Sequence, residues 1–177
     1  MRSPLVPNLA LTDGTVVLRA SDLRDIAAID VGINDPDVIR WLGPPEGSAV
    51  DVLALNQQRW ASGSPTLSIC EGDGPCVGLV WLNVRETEPT TASVGYWLLP
   101  GARGRGLATR AVQILSACAA GDLGVTNLRL LTELANKRSQ RVAERSGFRR
   151  TGVRHGQETI DGRLIDQVVY ELALRAG

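Results

Sequence analysis

Residues 100–111, PGARGRGLATRA, crowd three glycines and three arginines at the mouth of an apolar helical pattern. The first turn of a helix leaves four N–H groups without intrahelical acceptors, and the helix dipole adds positive potential there. Glycine lets a ligand approach the backbone, and arginine forks onto phosphate oxygens. Such a stretch can cradle an anion, a pyrophosphate in particular. Two commoner cradles fail on spelling. Gly101 and Gly106 have P-loop spacing, but Leu107 and Ala108 stand where Lys and Ser/Thr belong. The dinucleotide fingerprint begun at Gly104 meets Thr109 at its third position. Taken alone, the loop also reads as a surface turn with solvated arginines.

Other reactive side chains are sparse. His155 is the only histidine, which excludes histidine-rich metal sites. Cys70, Cys76 and Cys118 have no paired spacing, so they read as small buried hydrophobes in a reduced cytoplasm rather than as disulfides or zinc ligands. No metal is expected. Nineteen basic residues balance nineteen acidic ones, which gives no global electrostatic case for nucleic acid or an anionic membrane. No apolar run reaches the ~18 residues of a membrane span. The opening MRSPLVPNLALT is broken by Pro4 and Pro7 and lacks the pattern of a signal peptide. The expected location is cytoplasmic.

Elements must position the loop. The 177 residues suit one domain, 1–177, with residues 1–13 as an N-terminal extension. TVVLRA (15–20) alternates as a strand. Ser21 is expected to cap a helix carrying Leu23, Ile26, Ala27 and Ile29 at helical spacing. A helical turn and a proline-broken loop follow at 34–47, and Ser48 opens a helix to about Ala61. TLSIC (66–70), CVGLVWLNV (76–84) and ASVGYWLL (92–99) read as successive strands, the first two joined by the tight turn EGDGP. After the glycine loop a helix runs to Gly121. LRLLTEL (128–134) is a strand, and 137–147 is a helix with Gly147 at its C-cap. FRRTGV and RLIDQVVYELAL are strands joined near Asp161-Gly162. The order β-α-α-β-β-β-α-β-α-β-β describes an α/β fold, a mixed sheet with helices on its faces.

In that context Arg103 to Ala108 fits [Q/R]-x-x-G-x-[G/A] and resembles the acyl-CoA loop of the GNAT N-acetyltransferase superfamily. NKRSQRVAERSGF (136–148) fits N-x-x-S-x-x-V-x-x-x-x-G-F and is similar to the RimJ/RimL branch, the ribosomal-protein N-terminal acetyltransferases. GYWLLP, DPDVIRWLGPP and ETIDGRLIDQVVY resemble that branch too, so the likeness covers roughly residues 14 to 174. It implies a splayed mixed sheet and direct acetyl transfer from acetyl-CoA to an amine, without a metal.

The resemblance also implies roles. The backbone from Arg103 through Gly104, Arg105, Gly106, Leu107 and Ala108 to Thr109 would hold the pyrophosphate, helped by the two arginines. Leu98 and Leu99 would pair by backbone with the pantetheine arm and polarise the thioester carbonyl. Asn136 would bond the pantetheine; it also reads as a plain N-cap. Many relatives carry a tyrosine acid seven residues after this Asn, where Ala143 stands here. Ser139 is the branch's substitute, a hydroxyl beside the sulfur or holding a water; it also reads as an exposed helix serine. Glu158, in E-x-x-x-G-x-x-x-D, would position a water near the amine, with Glu88, Glu133 and His155 as rivals and Asp166 as a structural partner. The loop WLGPPEG is the expected acceptor lid, and Trp41, Trp60, Trp81 and Trp97 line either that pocket or the core. Three functions stay open: a protein N-terminal acetyltransferase, a small-molecule amine acetyltransferase, and a non-catalytic CoA-binding module. A homodimer is compatible with each.

Overall fold

The alternation of Val16, Leu18 and Ala20 builds a strand whose first two apolar side chains are sealed from solvent, and the remaining strands assemble beside it. The structure, a computed structural model, describes residues 10–85, 87–159 and 161–174. Its strands are β1 (Leu11–Thr12), β2 (Val16–Ala20), β3 (Thr66–Glu71), β4 (Cys76–Arg85), β5 (Glu88–Leu98), β6 (Asn127–Glu133), β7 (Arg149–Glu158) and β8 (Leu164–Ala173). Its helices are α1 (Ile26–Ile33), α2 (Pro36–Leu42), α3 (Ala49–Ala61), α4 (Leu107–Gly121) and α5 (Lys137–Arg145). They form one mixed sheet in the order β1-β2-β3-β4-β5-β6-β8-β7. Every neighbouring pair is antiparallel except β5 and β6.

Alternation along the strands divides the core. Ala92, Val94 and Leu98 of β5 join Ala111, Val112 and Leu115 of α4 and Ala143 of α5. Trp97, between them in sequence, packs with Ile29 of α1, Val38 of α2 and Leu53 of α3. The sheet is therefore covered by different helices on its two faces.

Four expectations are corrected. Residues 11–12 pair with β2, so part of the supposed extension belongs to the sheet. The turn after residue 34 is a full helix, α2, capped by Asp35, whose side chain accepts from Val38 N. The first helix is capped by Asp22, not Ser21, and opens with a 3-10 turn over Leu23–Asp25. Ser21 is buried instead, its hydroxyl 3.0 Å from that of Ser68, which itself donates to Asp25 at 2.8 Å. The reason is Asp25. Its carboxylate closes a capping box with Asp22 and takes a bidentate Arg19 at 2.8 and 2.7 Å, which draws the turn inward. Last, β5 starts at Glu88 rather than near residue 92.

Candidate active site

β5 and β6 are paired over Thr91↔Asn127, Ala92↔Leu128 and Ser93↔Arg129, and then part. Beyond that point β5 stays on β4 as far as Leu98, and β6 stays on β8 as far as Glu133. A wedge between two strands is left lined by backbone. Leu99 N donates to Val77 O at 2.8 Å, so its amide turns toward β4. Strand alternation then turns the amides of Leu98 and Tyr96 toward the wedge. Of the two leucines expected to meet a pantetheine arm by backbone, Leu98 turns its amide to the wedge while its carbonyl accepts from Arg103, and Leu99 turns its amide to β4.

The wedge leads to the glycine loop. Pro100–Ala102 makes a 3-10 turn, and Gly106 is the N-cap of α4. Gly104 (φ +77°) and Gly106 (φ +80°) lie in the left-handed region that glycine tolerates. A Cβ on either would meet no heavy atom within 4 Å, so the space above them is open. Leu107, Ala108 and Thr109 form the first turn of a 15-residue helix, where amides lack intrahelical acceptors. Wedge, loop and helix end share one cavity of about 830 Å³.

The loop arginines are committed elsewhere. Arg103 donates from Nε to Leu98 O (3.0 Å), from Nη1 to Asp37 (2.9 Å) and from Nη2 to Asp35 (2.5 Å). It ties the loop to α2, although it lines the cavity. Arg105 forks onto Glu71 at 2.8 and 2.6 Å and is not on the cavity wall. Arg138, Arg141 and Arg145 of α5 also line the cavity, Arg138 with Nη1 3.4 Å from Asp37. Their i, i+3, i+7 spacing puts them on one helix face, and that was a legible signal.

Asn136 and Ser139 both line the cavity. Asn136 Oδ1 caps α5 by accepting from Ser139 N at 3.1 Å, so the capping reading holds and the residue still faces the open space. The Ser139 hydroxyl accepts from Tyr96 Oη at 3.3 Å. Tyr96, in a strand whose pattern signals only core, also lines the cavity, and burial raises its phenol above the ordinary value.

Of the carboxylates and imidazole weighed as bases, two reach this space. Glu158 is exposed at the end of β7 and lines the cavity. Glu133 lines it too, buried at the end of β6, with Oε1 taken by Arg40 (3.1 Å) and Arg163 (3.4 Å). Glu88 faces Arg129 at 3.6 Å and His155 bonds Asp166 at 3.0 Å, both off the cavity wall. Asp166 also accepts from Gly156 N at 3.1 Å, which secures the irregular register of β7 against β8. Trp41 and Trp97 touch the cavity; Trp60 donates to Thr66 O and Trp81 packs in the core. Leu42 and Gly43 of the expected lid also line it. No described helix is long and apolar enough to cross a membrane.

A family model described as Acetyltransferase (GNAT) domain matches residues 15–149. A curated relative, Putative ribosomal N-acetyltransferase YdaF of Bacillus subtilis (strain 168), is 28% identical over 103 residues, 58% of this chain. The match spans 56% of that relative, so the chain covers little more than half of its length. Among solved structures, the RimL ribosomal L7/L12 alpha-N-protein acetyltransferase in complex with coenzyme A superposes with a TM-score of 0.84 at 21% identity, over 96% of this chain and 100% of that one. Mycobacterium smegmatis RimJ in complex with CoA-disulfide gives 0.78 at 22%, over 93% and 85%. The microcin C7 self-immunity acetyltransferase MccE, in complex with acetyl-CoA and AMP, gives 0.77 at 23%, over 92% and 94%. At these identities the likeness is one of fold.

Proposed function

The chain belongs to the GNAT acetyltransferase family, and from that premise we propose that it moves an acetyl group from acetyl-CoA to the α-amine of a protein N-terminus, by direct attack within a ternary complex. The observation that carries the reading is one cavity joining three parts: the free edge of β5, the glycine loop at the α4 N-terminus, and the Asn136–Ser139 turn. The residues fit the donor. The amides from Arg103 to Thr109 take the pyrophosphate, with the α5 arginines nearby for further phosphate charge. Leu98 and Asn136 hold the pantetheine, and an amide on the wedge meets the carbonyl oxygen as charge develops. Glu158 orders a water that removes the amine proton, and Ser139 donates to the sulfur.

The choice of a peptide acceptor rests on the relatives named for ribosomal proteins and on the acceptor end of the cavity. Half-exposed Leu42 and Leu131 line the same cavity as Glu158, a setting suited to a chain end bearing a cationic amine. A small-molecule amine is the second reading, favoured by the likeness to MccE, which holds AMP as well as acetyl-CoA. A screen of N-terminal peptides and amine metabolites with acetyl-CoA, read as released thiol, separates them. Turnover confined to metabolites overturns the peptide reading. No binding of acetyl-CoA by calorimetry overturns the enzymatic one.

A further inference from the structure

Loss of the thioester's sulfur is easiest when a proton reaches it as the C–S bond breaks. Among the described residues, the ionisable side chains on the cavity wall are carboxylates (Asp37, Glu133, Glu158), guanidiniums and one phenol, Tyr96. Carboxylates are ionised near neutrality, and guanidiniums do not give up protons. The single lysine, Lys137, and the single histidine, His155, are not on the wall. The other tyrosine, Tyr170, bonds Glu144 at 2.9 Å and is not there either. A phenol, at pKa ~10, is the neutral acid nearest to a thiol, at ~8.5.

Tyr96 lies where the strands part, on the face of β5 that meets α4 and α5. Its hydroxyl donates to Ser139 Oγ at 3.3 Å, long for a pair of hydroxyls. Because Ser139 accepts that bond, its own O–H is left to point at a third atom. Asn136 fixes the serine by its backbone N–H. We propose that Tyr96 is the proton source behind Ser139, and that the two form a relay from phenol to serine to the departing sulfur. Resting on the acetyl-transfer reading, in which Ser139 donates to the sulfur, this assigns the group that returns a proton to Ser139.

The step balances. As the C–S bond breaks, its electron pair stays on sulfur. The Ser139 proton moves to sulfur and the Tyr96 proton moves to the Ser139 oxygen. The phenolate recovers a proton from solvent, and the acceptor nitrogen releases one. Burial keeps the phenol protonated at neutral pH, so the relay is loaded before each turnover.

The test uses bound coenzyme A and needs no acceptor. Calorimetry first shows that wild type and Tyr96→Phe bind coenzyme A; failure of the wild type would sink the acetyl-transfer reading, not the relay. The bound thiol is then titrated by thiolate ultraviolet absorbance, after subtraction of the free protein. Burial places the thiols of Cys76 and Cys118 at about 11 and about 12, above the range of interest. A relay that donates to thiolate stabilises it. Its midpoint in the wild-type complex should therefore lie below that in Tyr96→Phe by about one pH unit. Ser139→Ala should raise the midpoint likewise, and the double variant should add nothing. With an acceptor in hand, Tyr96→Phe should cut kcat roughly 10²-fold and leave the acetyl-CoA KM unchanged. Equal midpoints in wild type and Tyr96→Phe overturn the relay, even if kcat falls.

Discussion

Gly106 carries two demands at once: a left-handed backbone and open space where a side chain would begin. Replacing it with glutamate strains the N-cap and puts a carboxylate where the proposed function places a pyrophosphate. Gly106→Glu is expected to abolish acetyl-CoA binding while the circular dichroism spectrum is kept; an unchanged calorimetric affinity would remove the loop from the cofactor site. Ser139 lies one bond from the Asn136 cap and one from Tyr96. Its Ala variant keeps the backbone N–H that the cap uses, so kcat should fall more than acetyl-CoA affinity does. Glu158 stands exposed on the cavity wall. Glu158→Gln keeps shape and removes charge, so it should lower kcat/KM and alter its pH profile. Identical plateau and apparent pKa would pass the role to Glu133, the other rival on this cavity.

Among the elements, α1 meets the sheet at Gly32. A Cβ there would stand 2.2 Å from the Trp97 ring, with no room to yield except by lifting the helix. Gly32→Val should cost about 1–3 kcal/mol by overpacking, read as a lower Tm. Because Trp97 precedes Leu98 on the same strand, the acetyl-CoA KM should rise with it. The individual elements were legible because their signals are local. Ser48 with Asp51 spells a capping box, and GDG spells a turn. The helix after Gly106 has its apolar face written at helical spacing. What local signals could not show was where two strands stop pairing. Ser93 and Val94 look alike to any rule of alternation, yet one has a partner on β6 and the other does not. Nor could they show which carboxylates claim the loop arginines, since Asp35 and Glu71 lie far off in sequence. Tyr96 stayed hidden for the same reason. Its role depends on Ser139, 43 residues away.

Across the whole molecule, equal numbers of opposite charges are drawn into specific pairs. The backbone amide of Val16 and the Arg110 guanidinium hold Asp13 at about 2, and Arg24 holds Asp22 at about 2. Asp25 is nearly sealed. Its burial works to raise its pKa, yet Arg19 and Ser68 together bring it below the ordinary value. Each folded value lies under the unfolded one near ~4, so the stability they confer is complete above that pH and lost as pH falls toward 2. Thermal unfolding should show Tm level near neutrality and dropping below about pH 4. Asp25→Asn, which empties the most buried of these sites, should lower the neutral Tm and soften that drop. The divergence of β5 from β6 has a further outcome, for motion. Among the described residues, three ladder pairs and the bond from Thr126 N to Thr90 O stitch Leu11–Leu98 to the last three strands through the sheet itself. The sheet is thus two leaves on a short spine, held together beneath it by one apolar core shared with α4 and α5. Amide hydrogens from Leu130 onward should exchange with solvent faster than those of β3 and β4. A molecule of acetyl-CoA lodged between the leaves should act as a clasp, slowing exchange on both sides of the opening at once.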